Sequence, residues 1–242
     1  MKTVITLTTK ELKEFFSSPI AYVFMTSFLF LVFWLFFANF FVMGQASLRY
    51  FFDWFPLLFI VFLPAITMAR WSEEKRSGTH ELLLTLPVSE TTLVLGKFFA
   101  CVIVLFCTLG LTTPLVITTS FLGDIDTGQS IAAYLGIFLM GMTYLSFGLF
   151  VSALTKNQVI AFLITVVFLF VLYIINEPFV TAYAPKTLIP YLQYASLSYH
   201  FEAMMRGVLD SRDVVFFLSL TGVFLYSNTV CLTAHRVRFS KG

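Results

Sequence analysis

Charge is scarce in this sequence. Asp, Glu, Lys and Arg make up 12% of its 242 residues, about half the roughly 25% of a soluble domain, and cannot cover a water-facing surface. Disorder is excluded too, because it requires low hydrophobicity and here 59% of residues are hydrophobic, with a mean hydropathy of +0.91. A net charge of +2 without any basic stripe gives no basis for a nucleic-acid partner. The three cysteines, Cys101, Cys107 and Cys231, all fall inside apolar runs, and an odd number so placed is no disulfide framework.

Catalytic groups are missing as well. There is no H-E-x-x-H, no G-x-S-x-G and no G-x-x-x-x-G-K-[ST], so no catalytic or metal-ligating set is expected and the chain does not hydrolyse ATP by itself. His200 and Glu202 stand at i, i+2 and do not share a helix face, so they are no ligand pair. The long apolar runs contain no Asp, Glu, Lys, Arg or His, Lys97 falling just outside the third. A transporter working through its own intramembrane charge relay is thereby disfavoured. Free energy for any transport would enter from a cytoplasmic partner.

What the sequence does have is apolar length. A bilayer core of about 30 Å takes some 20 residues of helix, and six runs qualify: Ile20–Met43, Trp54–Ala69, Phe98–Leu122, Ile131–Leu154, Val159–Ile175 and Val214–Ala234. They are continuous rather than alternating, which predicts helices and not barrel strands. An all-α polytopic membrane protein follows, one domain over 1–242, with Pro64 kinking the second span. The first run is too long for the h-region of a cleavable signal. Lys and Arg set the orientation. With the N-terminus inside, Lys2, Lys10, Lys13, Arg70, Lys75, Arg76, Lys97, Lys156, Arg236, Arg238 and Lys241 are cytoplasmic, against Arg49, Lys186, Arg206 and Arg212 outside. Both termini are then cytoplasmic.

Three stretches between the spans carry pattern. Before the first, Thr8 and Glu11 fit a capping box that would start a helix. Leu12, Phe15 and Phe16 then share a face opposite Lys10, Lys13 and Glu14, and Pro19 ends the segment. This predicts a short amphipathic helix in the cytoplasmic interface, or a plain positive anchor. Arg70–Lys97 concentrates charge in Arg70, Glu73, Glu74, Lys75, Arg76, Glu81, Glu90 and Lys97. There Gly78 breaks the charged run, Thr79 can cap a helix through Glu81, Leu82, Leu83 and Leu86, Pro87 stops it, and Ser89 can cap the next. Such a helix should dock on a partner, unless Leu82–Leu84 fold back into the bilayer. In the long outer loop, Phe201, Met204, Met205, Val208 and Leu209 have helical amphipathic spacing, though Gly207 after Arg206 could end that helix earlier. Thr112, Thr113, Thr118 and Thr119 could line an amphiphile's pathway or glue helices together.

The segment Met68-Ala69-Arg70 … Glu74-Lys75-Arg76-Ser77-Gly78-Thr79-His80-Glu81-Leu82-Leu83 … Pro87-Val88-Ser89 … Gly96-Lys97 resembles the cytoplasmic loop of ABC-2-type transporter permeases. His200-Phe201-Glu202 … Arg206-Gly207-Val208-Leu209-Asp210 … Asp213-Val214 is a second match, and the resemblance extends over essentially the whole chain. The nearest subgroup is the permease of the gliding-motility-associated ABC transporter. The resemblance implies one half of an ATP-binding cassette exporter in a bacterial inner membrane. Two six-helix permeases, alike or related, pair above two ATP-binding subunits that hold ATP and Mg, so that this chain needs no cofactor. It makes Glu74–Pro87 the coupling helix, with Glu74, Arg76 and Glu81 setting register, Gly78 and Thr79 at its start and Leu82 and Leu83 buried in the ATPase. Lys10, Leu12, Phe15 and Phe16 belong to an elbow helix, and Phe201, Met204, Met205, Arg206 and Gly207 to an outer hairpin. A role as membrane anchor of an envelope or motility assembly, using the ATPase without transport, is the alternative.

Overall fold

The computed structural model describes residues 2–43, 48–79, 88–123, 126–183 and 185–239, and among them every regular element is a helix. The chain opens with α1 (Lys2–Ser17), which stops before Pro19 at the first position of α2 (Pro19–Met43), where the missing N–H is no loss. A short α3 (Arg49–Asp53) leads into α4 (Phe55–Thr67), followed through Met68 by α5 (Ala69–Ser77). Next come α6 (Glu90–Gly110) and α7 (Thr113–Leu122), then α8 (Thr127–Leu154) and α9 (Gln158–Ile174). Three short helices, α10 (Pro178–Thr181), α11 (Ile189–Ala195) and α12 (Leu197–Met205), precede the long α13 (Ser211–Phe239).

Five stretches are long and apolar enough to cross a membrane: Ala21–Ala38, Phe55–Ser77, Glu90–Leu122, Thr127–Leu154 and Ser211–Arg236. The sixth expected span is α9, a 17-residue apolar helix that falls short by length. The molecule is a multi-pass membrane protein.

At its centre stands α8, capped by Asp126, whose carboxylate accepts from Gln129 N–H at 3.1 Å. Its buried surface is rich in Gly, Ala, Ser and Thr. Small residues let helices approach closely where lipid supplies no hydrophobic drive between them. Thr143 Oγ1 lies 3.1 Å from Thr221 Oγ1 and 3.2 Å from the Phe217 carbonyl, tying α8 to α13. On the other flank the phenylalanines interlock, Phe28 of α2 meeting Phe55, Phe59 and Phe62 of α4 at centroid distances of 5.8, 5.7 and 5.4 Å.

The α4–α5 junction has a specific cause. Pro64 sits inside α4, as the sequence suggested, and the ladder is broken four residues further on. The Trp71 and Ser72 amides both donate to Ser152 Oγ of α8, at 3.1 and 3.2 Å, and that hydroxyl donates to the Met68 carbonyl at 2.9 Å. A side chain has been inserted into the helical ladder, a recognised cause of bends. The direction of α5 is thus set by α8.

One sequence expectation is corrected here and one open alternative is decided. Thr8 and Glu11 do not start a helix: α1 is already helical from Lys2, Thr6 and Thr9 hydroxyls bond back to the Lys2 and Ile5 carbonyls, and both capping-box residues are buried mid-helix. The helix from Phe201 does not reach Val208 and Leu209 either. It ends at Met205, and Gly207 takes a left-handed φ of 86°, leaving Val208 and Leu209 exposed.

Candidate coupling site

The region on either side of segment 80–87 is built from three helices. Gly78 closes α5 with φ 77°, and no atom lies within 4 Å of where a Cβ would stand. Glycine is favoured there because its backbone takes the left-handed φ that other residues rarely adopt. Thr79 Oγ1 is 2.9 Å from Ser77 Oγ. On the far side Ser89 caps α6, its Oγ accepting from Thr92 N–H at 3.4 Å, and Glu90 in the first turn is 2.8 Å from Arg236 of α13. Glu74 and Lys97 therefore bracket the segment, one on α5 and one on α6.

They meet inside the protein. Lys97 Nζ lies 2.6 Å from Glu74 Oε1 and 2.9 Å from Glu11 Oε1 of α1. Arg70 Nη1 is 3.8 Å from the other Glu11 oxygen, and its guanidinium stands 3.7 Å over the Phe15 ring. Lys97 also lies 4.9 Å from the centroid of Trp71. The Lys97 and Glu11 side chains are 5% exposed, Arg70 11% and Glu74 18%. Two carboxylates and two cations balance, as a dry interior demands. The match is tight rather than complete, since Glu11 Oε2, Arg70 Nε and Glu74 Oε2 are buried without a hydrogen-bond partner. What admits α1 is Gly96: a Cβ there would stand 2.9 Å from the Leu7 Cβ.

Hydropathy scanning had put Lys97 just beyond a span. The helix instead begins at Glu90 and carries Lys97 into the interior. Glu11, Arg70 and Lys97 are thus functional candidates that the sequence did not single out as a group. For Lys97 the one signal was that it interrupts an otherwise apolar helical face, with Leu93, Val94, Ala100 and Cys101 one turn away. Next to the cluster, Lys75 Nζ donates to the Ala153 carbonyl at the end of α8.

The residues expected at the site divide. Glu74 is turned inward to Lys97, whereas Arg76, Gly78 and Thr79 are exposed. Glu81, Leu82, Leu83 and Pro87 lie outside the described residues. In α1, Phe15 is buried, Leu12 and Phe16 are partly buried, and Lys10 faces outward, the amphipathic division read from the sequence. The four threonines behave as helix glue or back-bonded side chains: Thr112 Oγ1 meets Tyr134 Oη at 2.9 Å, and Thr113, Thr118 and Thr119 donate to carbonyls of their own turns.

At the opposite end of the α4–α5 helix pair, Phe201, Met204 and Met205 are buried, and Met204 and Phe201 close on Gly136 of α8. Arg206 pairs in the open with Glu202. His200 is enclosed by Asp213 at 2.7 Å and the Tyr194 carbonyl at 3.0 Å, and stacks on Phe216. Against α12 opens a cavity of about 560 Å³, lined among others by Arg49, Asp53, Glu177, Gln193, Phe201 and Glu202. Burial raises the Asp53 carboxyl above its ordinary value, against the pull of Arg49 and with repulsion from Glu202. Among the described residues no group of three or more His, Cys, Asp or Glu could hold a metal ion.

Helices of spanning length and a buried ion cluster at one end of them are those of a membrane-embedded protein. Residues 45–226, about three quarters of the sequence, match the family described as ABC-2 family transporter protein, and the chain belongs to that family. No curated protein matches it.

Proposed function

We propose that the chain is the permease half of an ATP-binding cassette exporter, working with a separate ATP-binding subunit and a second permease copy. On this reading α9 is a sixth span, both termini are cytoplasmic in a bacterial inner membrane, and α1 is the elbow helix. The gliding-motility-associated subgroup, whose permease is similar in length, is the narrower assignment. Glu74–Pro87 takes the coupling-helix role, with Leu82 and Leu83 seated in the ATPase, Arg76 and Glu81 at its rim, Gly78 and Thr79 at its start and Pro87 at its end.

One observation carries the mechanical part of this reading: Lys97 bonds Glu74 and Glu11 together. The two helices flanking the coupling segment and the amphipathic α1 are thereby joined by buried charge. A push delivered at 80–87 would move α5, α6 and α1 as one body, and α5 would swing on the Ser152 contact into α4 and α8. Rigid-body rocking of this kind is how closure of one subunit is passed to another.

The test is co-purification of the ATPase with an Arg76→Glu, Leu83→Asp double variant in the full chain. Recovery of the partner should fall at least ten-fold, with transport-coupled ATP turnover lost and the melting temperature of the permease unchanged. Undiminished recovery with undiminished turnover overturns the docking assignment.

A further inference from the structure

Between α1 and α6 runs an open groove of about 520 Å³ whose walls are almost wholly apolar, Ile5, Thr9 and Leu12 facing Leu95, Phe99 and Ile103. Ile5 is 62% exposed, Phe99 42% and Ile103 36%. The volume lies within the ~300–1,000 Å³ of small-molecule sites. In a chain that spans a bilayer, an apolar concavity beside a spanning helix opens onto lipid.

The charges around the groove are of one sign. Lys2, Ile5, Thr9 and Lys13 follow one stripe of α1 at i, i+3, i+7 and i+11. Both lysines are exposed, each one helical turn from a residue that lines the groove, Lys2 from Ile5 and Lys13 from Thr9. The acids of α1 are elsewhere: Glu11 is held in the buried cluster, and Glu14 projects from the opposite flank of the helix. On α6, Glu90 is engaged by Arg236 and Lys97 points into the protein.

We infer that this groove is a binding site for an anionic phospholipid, its acyl chain laid between α1 and α6 and its phosphate drawn to the Lys2 and Lys13 rim. Acyl chains alone cannot confer selectivity, because any lipid supplies them. Each lysine near a membrane surface adds about a five-fold preference for an anionic headgroup. This inference is independent of the ATPase reading.

The purified full chain, carrying defined phosphatidylglycerol or phosphatidylethanolamine, would be examined by native mass spectrometry. Wild type should retain phosphatidylglycerol roughly ten- to thirty-fold more strongly. Lys2→Gln/Lys13→Gln should bring that preference close to unity, and Ile5→Trp, which fills the groove, should remove the adduct of either lipid. All three side chains are exposed, so an unchanged melting temperature certifies the fold. Equal retention of the two lipids by wild type, or full preference in the lysine variant, overturns the proposal. So does an Ile5→Trp variant that keeps its lipid, or that loses a second copy of the chain and not the lipid.

Discussion

Lys97 and Glu11, 86 positions apart, meet at 2.9 Å where each side chain is only 5% exposed to its surroundings. Removing Lys97 leaves Glu74 without a cation and Glu11 with only Arg70 at 3.8 Å, because both carboxylates share the one ammonium group. Removing one partner of a buried ion pair costs about 3–5 kcal/mol, while replacing a whole buried set by apolar groups is often neutral. Lys97→Met should therefore lower the melting temperature in detergent sharply. Adding Glu74→Gln to it, which leaves Glu11 balanced by Arg70, should restore much of the loss. A single Lys97→Met variant as stable as wild type would show that the cluster is not a closed electrostatic unit.

The Ser152 hydroxyl serves the Trp71 and Ser72 amides together. In Ser152→Ala both lose their acceptor inside the protein, a penalty of about 1–3 kcal/mol. Amide exchange at 71 and 72 should accelerate, with little change in the lower turns of α4. Identical exchange in the two proteins would assign the α4–α5 break to Pro64 alone.

Some buried polar atoms gain nothing from being polar. Asn228 of α13 is fully buried, and neither its Oδ1 nor its Nδ2 has a partner among the described residues; the Tyr144 hydroxyl of α8 is in the same state. An unpaired buried polar group costs about 1–3 kcal/mol. Asn228→Leu and Tyr144→Phe are thus expected to hold or raise the melting temperature. A loss of several degrees in either would reveal a partner such as ordered water.

Asp53 supplies a pH dependence of stability. Its native carboxyl titrates above the ordinary value of 3.8 because of burial, so the folded protein binds that proton more tightly than the unfolded chain. The resulting stabilisation is complete below the unfolded value and disappears as pH rises through the native one. Melting temperatures from pH 3 to 7 should show Asp53→Asn gaining on wild type as pH increases. A constant difference between the two would sink the claim.

Much of this was legible in the apolar runs. Phe55 to Ser77 and Thr127 to Leu154 stand as spanning helices because hydropathy over twenty residues leaves the backbone few alternatives. The ion cluster was not legible, since only residues 70 and 74 share a helical period and residues 11 and 97 join them only once three helices have packed. A scan for apolar length stops at a lysine by construction, and so set Lys97 outside the helix that contains it. Thr8 and Glu11 show the converse failure. A capping-box spacing matched by chance in a helix that had begun six residues earlier, because Glu11 is there for Lys97 and not for a helix start. At Gly207 both endings had been open, and the backbone took the one that only glycine takes cheaply.

The order of the chain gives the cluster a further consequence. Every member is present once the first 97 residues have been synthesised, before any residue of α8, α9 or α13 exists. Chains are made and assembled from the N-terminus, so Lys97 is buried against carboxylates that have already been translated. The most hazardous charge in the molecule need not wait for the second half of the protein to be neutralised, and a nascent chain halted after α6 already holds its own counter-ions.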